Sequence, residues 1–137
     1  GRDAAGSATK LLAVTVMTSL SDADLTDIGY SYTAAQLVER RVRQALDCGV
    51  DGVVSSPLEA ARVREIAHEA GRPDFLIVTP GVRPEGADKG DQQRVATPRA
   101  ALEAGATHLV VARPVVGAEN PLLAASAIVE SIDGIAR

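Results

Sequence analysis

The chain has 137 residues, a formal net charge of −4 and only 2% aromatic residues, and 24 alanines and 16 valines dominate its 46% apolar content. An acidic chain without aromatic stacking platforms is poorly suited to nucleic acid, and no apolar run approaches the roughly 18 residues that span a bilayer. Its one cysteine, Cys48, excludes an internal disulfide framework and suits a reducing, cytoplasmic setting, and its two histidines, His68 and His108, have no cysteine partner at metal-ligand spacing.

Leu11 to Met17 (LLAVTVM) reads as a first strand, ended by Thr18 and Ser19. The run is nearly continuous in apolar residues, the pattern of a parallel strand covered on both faces. Asp22, Asp24 and Asp27 follow without the EF-hand spacing or its closing Glu, and read as a solvated loop. Thr33 with Gln36 then makes a capping box, and Leu37, Val38, Val42, Ala45 and Leu46 recur at helical spacing until Gly49. Cys48 sits on that apolar face and is expected in the core.

Val50 to Ser55 is the second strand. Ser56-Pro57-Leu58-Glu59 predicts a helix with Ser56 as its cap, Pro57 at its first position, and Gly71 as its stop. His68 lies among its charged residues and is expected to be exposed. Phe75 to Thr79 is the third strand, and Thr97-Pro98 opens a short Ala-rich helix ended by Gly105. His108 to Ala112 is the fourth strand, in which His108 reads as structural rather than catalytic. Asn120-Pro121 opens a last helix with Leu122, Ala125, Ile128, Val129 and Ile132 on one face.

The order β-α-β-α-β-α-β-α predicts an α/β fold of parallel strands joined by right-handed crossovers. Residues 1–137 form a single unit, with no linker or low-complexity segment. One connection is out of scale: residues 80–96 (PGVRPEGADKGDQQRVA) far exceed the ~2–6 residues usual between a strand and the next helix. A loop of that length at the C-terminal end of a parallel strand is commonly a binding loop or lid; the alternative is a disordered insertion.

Arg83 follows the third strand and Arg113 the fourth, at the strand ends that face ligands in parallel α/β proteins. A (β/α)₈ barrel often builds a phosphate site from its last two such loops, and a guanidinium grips phosphate oxygens with paired hydrogen bonds. Two arginines at adjacent strand ends favour that reading over two surface ion pairs. Thr18 and Ser19 could face a ligand or cap a turn; Gln92 could reach over the ligand or be solvated. Only two lysines occur, Lys10 and Lys89, and both lie outside the strands. No G-x-G-x-x-G or Walker A motif is present, and no nucleophilic triad can be assembled.

Five segments in order, LLAVTVMTS, GVDGVVSS, VTPGVRP, GDQQRVATP and VVARPVV, closely resemble the C-terminal half of bacterial orotidine 5′-phosphate decarboxylases. The resemblance runs from Leu11 to about Ile132. It implies a TIM (β/α)₈ barrel of which this chain supplies strands five to eight, with residues 80–96 as the phosphate-gripping loop. By motif matching, Thr18 would contact the pyrimidine, Arg83 would hold the phosphate, and Gln92 would bridge base and phosphate. The backbone at Ala112, where the family normally has Gly, would complete the phosphate cradle with Arg113.

The same resemblance implies decarboxylation of orotidine 5′-monophosphate (OMP) to UMP and CO₂ in pyrimidine biosynthesis, with no metal or organic cofactor. The family's chemistry rests on an Asp-Lys-Asp-x-x-Asp-type array from the first strands, one Asp coming from the partner subunit of a homodimer. No segment here matches that array, so no catalytic residue is expected in this chain, and alone it is expected to be inactive. The expected partners are a nucleotide monophosphate and a missing N-terminal half-barrel or a second copy, with no nucleic acid and no membrane. A barrel takes roughly 250 residues, so 137 make about half of one. The chain opens at Gly1 without a signal peptide and its one methionine is Met17, so Gly1 is not expected to be a plain translation start. Two other readings stay open: a non-catalytic phosphate-binding half-barrel that self-associates, and a sugar-phosphate decarboxylase or aldolase of the same superfamily.

Overall fold

A computed structural model describes residues 8–84 and 94–135. Its strands are β1 (Leu12–Val14), β2 (Gly52–Val54), β3 (Leu76–Thr79) and β4 (His108–Leu109). Each lies within its apolar run and is shorter than it, with β1 and β4 taken from the early part of theirs. They form one parallel sheet in the order β1-β2-β3-β4, as right-handed crossovers between successive units require. The helices are α1 (Asp22–Asp27), α2 (Ala34–Asp47), α3 (Ala60–Glu69), α4 (Pro98–Glu103), α5 (Arg113–Val116) and α6 (Pro121–Ser131).

The two faces of the sheet differ. Ala13, Val53 and Ile77 stand in one register row. Val53 and Ile77 are wholly buried, with Phe75, against Leu37, Val38 and Val42 of α2 and Val63 and Ile66 of α3. The neighbouring row, Val14, Val54, Val78 and His108, points the other way. There Val14 is 63% exposed and Leu12, two residues before it, 40%. Val54, Leu76 and Val78 are half-buried. The apolar runs predict strands covered on both faces, and helices cover one. A smaller cluster of Val82, Ala101 and Ala106 lies beneath α4.

Most helix starts follow the predicted chemistry. Thr33 and Gln36 cap each other reciprocally on α2, and Thr97 and Asn120 accept from Ala100 and Leu123 at the starts of α4 and α6. Four expectations need correction. Asp22, Asp24 and Asp27 are not a solvated loop but part of α1. Ser21 and Asp24 form its capping box, and Asp22 Oδ1 accepts from Ala34 N at 2.7 Å, tying α1 to the start of α2. Ser21-x-x-Asp24 was the signal.

Ser56 does not cap α3. Its hydroxyl accepts from Leu58 N inside a turn, and the helix starts at Ala60 with Glu59 as its N-cap residue, the Glu59 carboxylate being held by Arg94 instead of reaching back to Ser56. Cys48 is exposed, since it is the C-cap of α2 and lies beyond the buried face. Finally, the apolar face of α6 is mostly uncovered: Ile128 is buried, while Leu122 and Val129 are 75% and 63% exposed. His68 is exposed, as expected.

Gly52 holds β2 close to β3. A Cβ there would stand 2.3 Å from the Leu76 carbonyl oxygen, inside any permitted contact. Overpacking of that kind costs about 1–3 kcal/mol. Gly52→Ala is therefore expected to lower the urea midpoint by that amount of stability, and an unchanged midpoint would show that the strands can part without cost.

Candidate functional site at the C-terminal edge of the sheet

Parallel strands place all their C-terminal ends on one edge, and the candidate residues collect there. Thr18 follows β1 and is buried, 7% exposed. Arg83 follows β3 and is also buried, its Nη1 donating to the Val82 carbonyl at 2.8 Å. Arg113 is exposed and opens α5. It stands four residues past the end of β4 rather than one, because the ladder stops at Leu109. Gln92 and Lys89 lie outside the described residues.

Ala112 is the N-cap of α5 with φ −113°. The Ala112 carbonyl accepts from Val115 N and Val116 N, both at 2.9 Å, which fixes the short turn carrying Arg113.

Lys10 sits at the other end of the sheet. It precedes β1 and pairs with Asp51, just before β2, at 3.6 Å, while Asp51 Oδ2 also accepts from Leu11 N at 2.7 Å. Lys10 is thus separated from Thr18, Arg83 and Arg113 by the length of the strands. Among the described residues no group of three His, Cys, Asp or Glu could hold a metal ion. No helix among them is long and apolar enough to cross a membrane. A cavity of about 440 Å³ opens between Pro84, Pro98, Pro114 and α6, next in the chain to both arginines. Its lining is largely apolar, including Ala124 and Ile128.

The residue that sequence reasoning missed is Arg94. It is 7% exposed. Its Nη1 donates to Glu59 Oε1 at 3.0 Å, and its Nη2 donates to the Met17 carbonyl at 2.9 Å and the Val16 carbonyl at 3.4 Å. Two residues on, the Ala96 carbonyl accepts from Arg83 N at 2.9 Å, within a parallel bridge between Val82 and Ala96. The base of the loop after β3 is therefore closed on itself and pinned to the end of β1. Nothing in the spacing of GDQQRVATP marks Arg94 as buried, because its partners lie 35 and 77 residues away.

This arrangement, a parallel α/β sheet with two arginines after its last two strands, can be set against known proteins. A sequence model described as orotidine 5′-phosphate decarboxylase / HUMPS family matches residues 2–128. The chain belongs to that family. An orotidine 5′-phosphate decarboxylase of Caulobacter vibrioides (strain NA1000 / CB15N) is 64% identical over 129 residues, covering 94% of this chain and 55% of the relative. One from Methylobacterium sp. (strain 4-46) is 54% identical over 133 residues, again 55% of its length.

A crystal structure of orotidine 5′-phosphate decarboxylase from Lactobacillus acidophilus superposes with a TM-score of 0.72 at 37% identity. It covers 93% of this chain and 51% of that one. The enzyme from Pyrococcus horikoshii OT3, at 23% identity and a TM-score of 0.62, shares the fold. The chain spans about half the length of the curated relatives it matches. Its four strands are half of a (β/α)₈ barrel, which accounts for the sheet face that no helix among the described residues covers.

Proposed function

We propose that this chain is the substrate-binding half of an orotidine 5′-monophosphate decarboxylase, converting OMP to UMP and CO₂ when the barrel is complete. The observation that carries the reading is positional. Thr18, Arg83 and Arg113 share the C-terminal edge of one parallel sheet, in a chain more than half identical to decarboxylases over nearly its whole length. Arg83 and Arg113 take the phosphate, with the backbone at Ala112 beside them. Thr18 meets the pyrimidine, and Gln92 spans the two from the loop over residues 80–96.

Decarboxylation leaves an electron pair on the pyrimidine carbon, and a proton must be delivered to it. Lys10, paired with Asp51 at the opposite edge, is not that donor. The acid and the carboxylate array therefore belong to the N-terminal half, and this half contributes binding energy from a phosphate remote from the reacting carbon. The reading needs no cofactor. It places the enzyme in the cytoplasm as a homodimer, a setting that a lone exposed thiol tolerates.

A second reading has one observation in its favour. The exposed row of Leu12 and Val14 could meet the same row of another copy, giving a non-catalytic pair of half-barrels. Turnover separates the two readings. The chain alone is expected to release no CO₂ from OMP, and to do so once co-expressed with the N-terminal half of the Caulobacter vibrioides relative. Turnover by the chain alone, or none from the complex, contradicts the proposal. Within that complex, Arg83→Ala and Arg113→Ala should each weaken UMP binding about 10- to 100-fold, the worth of a charge-assisted hydrogen bond. Calorimetric titration reads this directly, and unchanged affinity would remove that arginine from the phosphate site.

A further inference from the structure

We propose that Arg94 is a positioning residue, coupling the loop after β1 to the loop after β3 so that the two ends of one ligand are set by a single buried ion pair. The inference rests on the functional reading only for what that ligand is.

The argument begins with the carbonyl of Met17. It accepts from Leu20 N at 3.0 Å, closing the turn that holds Thr18, and from Arg94 Nη2 at 2.9 Å. The other arm of the same guanidinium reaches Glu59, in the turn between β2 and α3. The Glu59 backbone is fixed in turn, its carbonyl accepting from Val63 N at 2.9 Å in the first turn of α3. Arg94 itself lies two residues before Ala96, which binds Arg83 N. One planar group thus joins the connections after three successive strands.

Both side chains of the pair are largely removed from solvent, at 9% and 11% exposure. A buried ion pair is seldom more stabilising than apolar packing of the same volume, so its presence points to geometry rather than stability. The chemistry needs arginine. A rigid fork can donate to a carboxylate with one arm and a backbone carbonyl with the other, whereas an ammonium is a single point charge. Misplacement reaches Thr18 and Arg83 together, since the turn holding Thr18 closes on the Met17 carbonyl that Arg94 engages, and Arg83 N bonds to Ala96, two residues along the chain from Arg94.

Amide exchange in the 137-residue chain tests the coupling without a ligand. The amides of Leu20 and Arg83 report on the two loops, and those of α2 and α3 on the core. In Arg94→Lys and in Glu59→Gln, Leu20 and Arg83 should both exchange at least tenfold faster relative to the core amides than in the unmodified chain. Acceleration of one loop without the other, or of both only in step with the core, overturns the proposal.

The completed barrel gives a second readout. Arg94→Lys should lower kcat/KM at least tenfold for OMP, which engages both loops, and by a clearly smaller factor for orotidine, which keeps the pyrimidine but lacks the phosphate. An equal loss on both substrates marks a merely structural residue and also overturns it. An unmodified complex that does not decarboxylate OMP refutes the functional reading instead, and the exchange comparison still decides the coupling.

Discussion

A parallel sheet built from nearly continuous apolar strands has to be covered on both faces, and here helices cover one. Leu12, Val14, Val54, Leu76, Val78 and Val110 lie on the other, exposed or half-buried. Full burial of each such side chain is worth about 1.5–3 kcal/mol. Even half of that over six residues is on the order of 5–9 kcal/mol, comparable with the whole stability of an ordinary domain. The open face is thus a large energetic demand for a second layer, and the family relatives, nearly twice as long as the matched segment, have the chain to supply one.

The same constraint explains where the chemistry sits. Parallel strands put every C-terminal strand end on one edge, so residues far apart in sequence converge without any local motif. Thr18, Arg83 and Arg113 are separated by up to 95 positions and still share that edge. What the parallel arrangement does not supply is fine placement of the loops. That falls to the polar contacts beneath them: Arg94 with Glu59 and the end of β1, and the Arg83–Ala96 bridge. The exposed apolar face and the buried arginine are thus two separate features of the one sheet, the first on its uncovered side and the second beneath the loops at its C-terminal edge.

The architecture was legible in the sequence because its signals are local. Thr33 with Gln36, Thr97-Pro98 and Asn120-Pro121 announce helix starts within four residues, and apolar runs announce buried strands. The failures were non-local. Ser56-Pro57-Leu58-Glu59 reads as a capping box, but the glutamate is held by Arg94, 35 residues on, and Ser56 accepts from Leu58 N in a turn before α3. Cys48 shares a helical face with Val42 and Ala45 but falls one turn past the last residue that packs. The three aspartates after the first strand are exposed, as expected, but stand in a helix rather than a loop, because Ser21 and Asp24 hold a capping box and Asp22 caps the neighbouring helix. Of the proposed site, the two arginines are placed by strand ends alone, while the roles proposed for Thr18, Gln92 and Ala112 rest on family resemblance.

The central claim is that the exposed sheet face belongs against another half-barrel of the same protein family. Sedimentation of this chain mixed with the N-terminal half of a family relative tests it most directly, with methyl NMR reporting on Val14, Val54 and Val78. The account predicts a one-to-one complex in which the methyl groups of those three valines lose contact with solvent. A chain that stays monomeric in the mixture, with those methyls as accessible as before, would contradict it.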